Sequence, residues 1–124
     1  MKDDKVLLMQ QLNDLWEFPG GRIDPGEEAV GFETILRREI AEECGPNFQI
    51  SIGGILRVWT TPYSDGVHGL ILEHLCQYQG GDVVISDEHK GYRWVGRDEW
   101  KALSFIRDQE GYPVTLNKLW DQSA

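Results

Sequence analysis

Two hydrophobic periods alternate along the chain, and the switches between them mark its elements. Lys5 to Gln11 carries the unbroken apolar run Val6 to Met9 and predicts a mostly buried strand. Asn13-Asp14 supplies turn chemistry, and Leu15 to Phe18 reads as a second short extended run, so the two predict a hairpin. Pro19-Gly20-Gly21 and Asp24-Pro25-Gly26 then break regular structure, leaving an irregular acidic loop from Pro19 to about Val30. From Phe32 to Cys44 the pattern turns helical: at about 100° per residue, Phe32, Leu36, Ile40 and Cys44 share one arc of roughly 120°, the expected core face. Gly45-Pro46 is the stop, because Gly suits the left-handed position past a helix end and Pro cannot continue the helix.

Beyond the helix, Phe48 to Trp59 and Gly69 to Tyr78 read as strands joined by a loop containing Pro62, Ser64, Asp65 and Gly66. Asp82 to Ile85 and Tyr92 to Val95 are further strand candidates. Arg97 to Trp100 opens a short helix, and Val114 to Trp120 forms a last one. Strand, loop, helix, several strands and helix in that order predict an α/β protein of the α+β kind, one domain over residues 1–124, with a mixed sheet covered by helices.

Composition sharpens this picture. With 124 residues, 40% of them hydrophobic and 27% charged, the chain is the size of one domain and has enough apolar surface for a compact, soluble core. Its 12 Lys plus Arg against 21 Asp plus Glu give a net charge of −9, which repels a phosphate backbone and argues against a nucleic-acid polymer as partner. Surplus carboxylates are, by contrast, the ligands that hard divalent cations prefer. Cys44 and Cys76 lack metal-ligand spacing and are expected as buried free thiols. The apolar run near the start is too short for a signal peptide or a membrane span, so a cytoplasmic location is expected.

Gly21 to Pro46 holds seven carboxylates against three arginines. Glu43 falls inside the apolar arc of the helix, Glu39 just off its edge, and Glu42 one step further round. Ordinary i,i+4 pairing, Arg38 with Glu42 for instance, would account for a solvated acidic face. Yet carboxylates at i, i+3 and i+4 repel one another and meet the unfavourable end of the helix dipole. Arg38 can neutralise one of them, and a bound divalent ion is the economical counter-charge for the rest.

The same segment resembles the signature of the Nudix hydrolases: Gly, five residues, Glu, seven residues, Arg-Glu, an aliphatic, any residue, Glu-Glu, any residue, Gly and an aliphatic. Gly21, Glu27, Arg38, Glu39, Ile40, Glu42, Glu43 and Gly45 match it, and Trp16-Glu17-Phe18-Pro19-Gly20 before it is also typical. There are two departures. Ten residues separate Glu27 from Arg38, the extra three most simply lengthening the loop around Val30-Gly31-Phe32, and Pro46 replaces the closing aliphatic. Members also begin with a strand ahead of the one matching Lys5 to Gln11. Its absence would leave that strand with an apolar edge partly unpaired, from which a homodimer or larger oligomer is expected.

The resemblance implies a Nudix-like α/β/α sandwich and hydrolysis of a nucleoside diphosphate linked to another group, dependent on Mg2+ or Mn2+. It implies that Glu39, Glu42, Glu43 and the Gly20 carbonyl hold metal and that Arg38 orients a glutamate. The water would be activated by Glu39 or by Glu88 of the late loop, Glu39 being favoured because it stands on a rigid helix. Trp59, Tyr63 and Trp94 are candidates for stacking on a nucleobase, with core packing as the alternative for each. His68, His74 and His89 lack ligand spacing and read as structural or exposed. The partner expected is a small nucleotide, with no membrane. Two other readings stay open: a nucleotide-sensing or interaction domain that has kept the fold and lost activity, and a hydrolase of non-nucleotide polyphosphates.

Overall fold

The computed structural model describes the chain except for residues 22–25, 28, 63–65, 67, 108–109 and 124, and the side chains of 122 and 123. Strands β1 (Val6–Gln11), β2 (Trp16–Glu17) and β5 (His89–Val95) form one antiparallel sheet in the order β2-β1-β5, and β3 (Gln49–Pro62) and β4 (His68–Gly80) form a long antiparallel hairpin. Helix α1 spans Phe32–Cys44 and α2 spans Tyr112–Ser123, with a 3₁₀ turn at Glu99–Ala102 between β5 and α2. Parallel pairing among the described residues is confined to the bridge between Trp16 and Phe105.

The first hairpin forms where Asn13-Asp14 places it. The Leu15 N–H donates to Asn13 Oδ1 at 3.1 Å, the Gln11 N–H to the Leu15 carbonyl at 2.8 Å, and Asp14 takes the left-handed φ of 74° that short acidic side chains tolerate. Strand alternation then divides the core. Leu8 and Val95 face α2, packing with Leu116, Leu119 and Trp120, whereas Leu7 and Met9 face α1, packing with Ile40 and Cys44. The sheet thus lies between two helices. Fully burying a side chain such as Leu8, which has no exposed surface, contributes about 1.5–3 kcal/mol.

Three expectations are corrected. Phe32 is 55% exposed: as the first helical residue it projects beyond the sheet, and the inner face of α1 is instead Ile35, Glu39, Ile40, Glu43 and Cys44. Asp82 to Ile85 makes no strand, because it finishes α1. The Val84 N–H donates to the Cys44 carbonyl at 2.8 Å, satisfying one of the orphan acceptors of the helix end, while Gly45 at φ 99° turns the chain away. The edge of β1 is also not the exposed one, since β5 pairs with it from Val6 to Gln11 and β2 with Met9 and Gln10 on the other side. Open edges belong instead to strands such as β3 and β4, which pair with each other, β4 also taking Met1 at its far end: the Tyr78 N–H donates to the Met1 carbonyl at 2.9 Å and the Met1 ammonium to the Cys76 carbonyl.

A buried polar chain ties the hairpin to α2. Arg57 on β3 donates to the Gly111 carbonyl at 2.7 Å, to the Glu110 carbonyl and to Thr115 Oγ1 at 3.1 Å, and the Thr115 hydroxyl donates to Glu73 Oε1 on β4 at 2.5 Å. Glu73 Oε2 and Trp59 Nε1 are both buried without a well-aligned hydrogen bond. Burial raises the Glu73 pKa, with the Thr115 hydroxyl, the Trp59 N–H and the Arg57 charge offsetting part of the rise. A carboxyl raised on folding contributes stability in acid that is lost as pH climbs through its folded pKa. Urea denaturation from about pH 5 to 9 should therefore show the wild type losing stability relative to Glu73→Gln, and parallel pH profiles would refute the assignment.

Candidate functional site

The acidic end of α1 is built around one guanidinium. Arg38 donates from Nε and Nη2 to the two oxygens of Glu27 at 2.7 and 2.6 Å, from Nη2 to Glu39 Oε1 at 2.9 Å, and from Nη1 to Glu42 Oε2 at 3.0 Å. The longer spacing in the loop does not separate Glu27 from Arg38. The extra residues lie in the turn before the helix, where the Val30 N–H returns to the Glu27 carbonyl at 3.0 Å, and Glu27 folds back onto the helix. A fork with several donors is what this place requires, since an ammonium would offer a point charge without the bidentate geometry.

Glu39 and Glu43 are each 6% exposed, whereas Glu42 stands on the solvent side. The Gly20 N–H donates to Glu43 Oε2 at 2.6 Å, binding the Pro19-Gly20-Gly21 turn to the helix. Gly21 completes the fit, because a Cβ there would come within 1.8 Å of Glu39 Oε2. Desolvation pushes the Glu43 carboxyl up to about 8, against the lowering effect of the Gly20 N–H and with the added repulsion of Glu17, Glu39 and Glu88. Beside it, burial first and the Glu43 charge second push the Cys44 thiol up to about 12.

A cavity of about 910 Å³ opens in front of this cluster, and Gly20, Gly21, Arg38, Glu39, Glu42, Glu43, Glu88 and Trp94 all line it. Glu88 reaches it from the turn before β5, where its N–H donates to Ser86 Oγ at 3.3 Å. Trp94 stands at the end of the cavity beside Phe48 and edge-on to Tyr78. Trp59 is not part of the lining: it packs edge-on to Tyr112 with the Arg57 guanidinium 5.1 Å over its ring, which is a core role. Tyr63 lies outside the described residues.

Two lining residues had no individual role in the sequence reading. Glu17 accepts from Gln11 Nε2 and lies 3.9 Å from His89 Nε2, and His89 is buried, its Nδ1 without a partner, in contrast to a merely exposed histidine. The signal was available in Trp16-Glu17-Phe18, where an acid between two aromatics just before a glycine turn has little reason to be there for packing.

The side chains of Glu39, Glu42 and Glu43 at this end of the cavity offer carboxylate oxygens, which suit magnesium or manganese in kind. Gly21 provides the room beside Glu39 that a side chain would fill. Among the described residues no three acidic, histidine or cysteine side chains already converge on one point, because Glu39 and Glu42 are turned onto Arg38 and Glu43 onto Gly20. A cation entering here must draw carboxylates away from Arg38.

Comparison with known proteins agrees with this architecture. The family model described as NUDIX domain matches residues 1–114. The nucleoside triphosphatase NudI of Enterobacter sp. (strain 638) is 32% identical over 98 residues, 71% of this chain and 66% of that protein. The asymmetrical bis(5'-nucleosyl)-tetraphosphatase of Sus scrofa is 32% identical over 124 residues, 87% of this chain and 78% of that protein. Among solved structures, the MutT protein of Methanosarcina mazei Go1 superposes with a TM-score of 0.76 at 20% identity, covering 98% of this chain and 87% of that one.

Calorimetric titration with magnesium or manganese should show binding by the wild type that Glu43→Gln weakens at least about tenfold, since a neutral amide replaces a buried carboxylate. Gly21→Ala should weaken it too by displacing Glu39. Equal affinities across the three proteins would remove these residues from the metal site.

Proposed function

Because the chain belongs to the NUDIX domain family, we propose that it hydrolyses the diphosphate of a nucleoside diphosphate linked to another group, with magnesium or manganese as cofactor. The observation that carries this reading is the single constellation of Arg38, Glu39, Glu42 and Glu43 on α1, facing Gly20 and Gly21 across the mouth of the cavity. Displacement at a diphosphate needs charge neutralised on the bridging and leaving oxygens and a positioned water, and little covalent chemistry from the protein. A divalent ion held by Glu39, Glu42, Glu43 and the Gly20 carbonyl would supply that neutralisation. Arg38 sets the rotamers of Glu39 and Glu42 and holds them until the ion competes for them.

Glu39 is the residue assigned to deprotonate the water. It is fixed between Arg38 and Gly21, whereas Glu88 is exposed on a turn and depends on that turn closing over substrate. Trp94, on the cavity wall, is retained as the stacking candidate, and Trp59 is assigned to packing. No helix among the described residues is long and apolar enough to cross a membrane. A cytoplasmic location is proposed from the likeness to hydrolases of small nucleotides, with cell fractionation as its test. A homodimer is proposed through the open edge of β4, where Leu70 is 61% exposed; light scattering showing only monomer at tens of micromolar would overturn it.

A panel of nucleotides assayed for product release with magnesium tests the activity. Release from none of them by a folded, metal-binding protein would favour a sensing or interaction domain, and release from inorganic polyphosphate alone would move the substrate class. On an active substrate, Glu39→Gln should lower kcat by a factor on the order of 10² or more with KM little changed, and Glu88→Gln about tenfold or less. If Glu88→Gln is the more damaged while still binding metal normally, the base is Glu88.

A further inference from the structure

Among the described residues two arginines line the cavity, and the arrangement around Arg38 accounts for only one of them. The other, Arg107, is brought there by backbone register. The Trp16 N–H donates to the Ser104 carbonyl at 2.9 Å and the Ile106 N–H to the Trp16 carbonyl at 3.2 Å, so the segment after the 3₁₀ turn runs parallel to β2. Arg107 follows two residues after Phe105, the bridge partner of Trp16, and Phe18 two residues after Trp16, and both line the cavity.

The chain accepts an unfavourable local geometry to put it there. Arg107 has φ 51°, an uncommon backbone state for a residue with a side chain. Its carbonyl presses against Gly111 so closely that a Cβ on Gly111 would be 1.8 Å from the oxygen. Arg57 clamps the carbonyls of Glu110 and Gly111 from the other side. The Arg107 guanidinium lies near enough to Tyr112 to act on its phenol, and Tyr112 packs on Phe18 with ring centroids 4.8 Å apart, both aromatics lining the cavity. The cavity lining therefore combines the carboxylates of α1 with a guanidinium beside two aromatic rings, whose segment is held by a positive φ, a glycine and the Arg57 clamp.

The geometry points to Arg107 as a specificity-determining residue that binds a pair of acceptor atoms on the substrate beside the diphosphate being cleaved. This rests on the hydrolase reading and adds to it a requirement on the substrate. A guanidinium fork matches two kinds of paired acceptor found in nucleotides: the oxygens of a further phosphate, and the O6 and N7 edge of guanine. Arg57 and Gly111 act through Arg107 and are positioning residues.

Steady-state kinetics on adenosine and guanosine di- and triphosphates, at saturating magnesium, test the assignment with Arg107→Met and Arg107→Lys beside the wild type. The expected result is a selective rise in KM, about tenfold or more, for nucleotides carrying the recognised acceptors, with kcat changed less than about threefold. A rise that follows phosphate number and is partly restored by lysine identifies the phosphate. A rise that follows guanine over adenine and is not restored by lysine identifies the base edge, because a point charge cannot replace a fork. A uniform change across all four nucleotides, a loss confined to kcat, or no change overturns the proposal and leaves Arg107 a support for Tyr112. Arg107→Gln, which retains a donor toward Tyr112 without the charge, gives the same comparison should the methionine variant fail to fold. If the wild type hydrolyses no nucleotide, the underlying hydrolase reading fails and this proposal falls with it; an active wild type with an indifferent Arg107 variant sinks the proposal alone.

Discussion

Three carboxylates on the last turns of one helix, with a fourth folded back from the loop, cannot share that space without a cation among them. Arg38 is that cation, and much of the local structure follows from its four hydrogen bonds to Glu27, Glu39 and Glu42. The bidentate grip on Glu27 fixes where the acidic loop returns to the helix. The bonds to Glu39 and Glu42 determine which side chains are presented to the cavity. With Glu39 drawn in this way, Gly21 has no space for a side chain, and the glycine turn is pressed against the helix so that its next N–H, that of Gly20, meets Glu43.

The rest of the fold serves to hold this turn in place. Phe18 anchors it from one side through Tyr112, which the Arg57, Thr115 and Glu73 chain holds against the hairpin. The β2 strand anchors it from the other, through pairing with β1 and the bridge to Phe105. The turn is short and glycine-rich, yet it is braced at both ends by contacts that come from distant parts of the sequence. That bracing explains how so small a protein keeps several like charges at a fixed separation.

Local chemistry was legible in the sequence, and long-range contacts were not. The helix from Phe32 to Cys44 and the hairpin at Asn13-Asp14 follow from period and turn residues, which act within a few residues, and the motif residues from Gly20 to Glu43 come from the resemblance to one short contiguous signature. Phe32 was misplaced because periodicity gives the direction of a side chain but not where along the helix the covering sheet begins. Asp82 to Ile85 has the composition of a strand, and only the proximity of the α1 terminus turns it into a cap. Arg57 and Glu73 resemble ordinary charges on opposite strands of a hairpin, and nothing local shows that α2 will lie across them. The residues proposed for the site lie close together in sequence, and the contacts that support them do not.

Cys44 illustrates a different side of the same packing. It closes α1 with no exposed surface, next to Glu43, in surroundings that disfavour the thiolate. A thiol in that position is inert toward alkylating reagents as long as the helix end remains docked on β1, and it becomes ordinary the moment the helix lifts. The protein thus carries its own clock for the opening of its most highly charged element. The rate at which Cys44 is labelled reports how often the carboxylate cluster comes apart, and a cation that binds those carboxylates slows the clock without ever touching the sulfur.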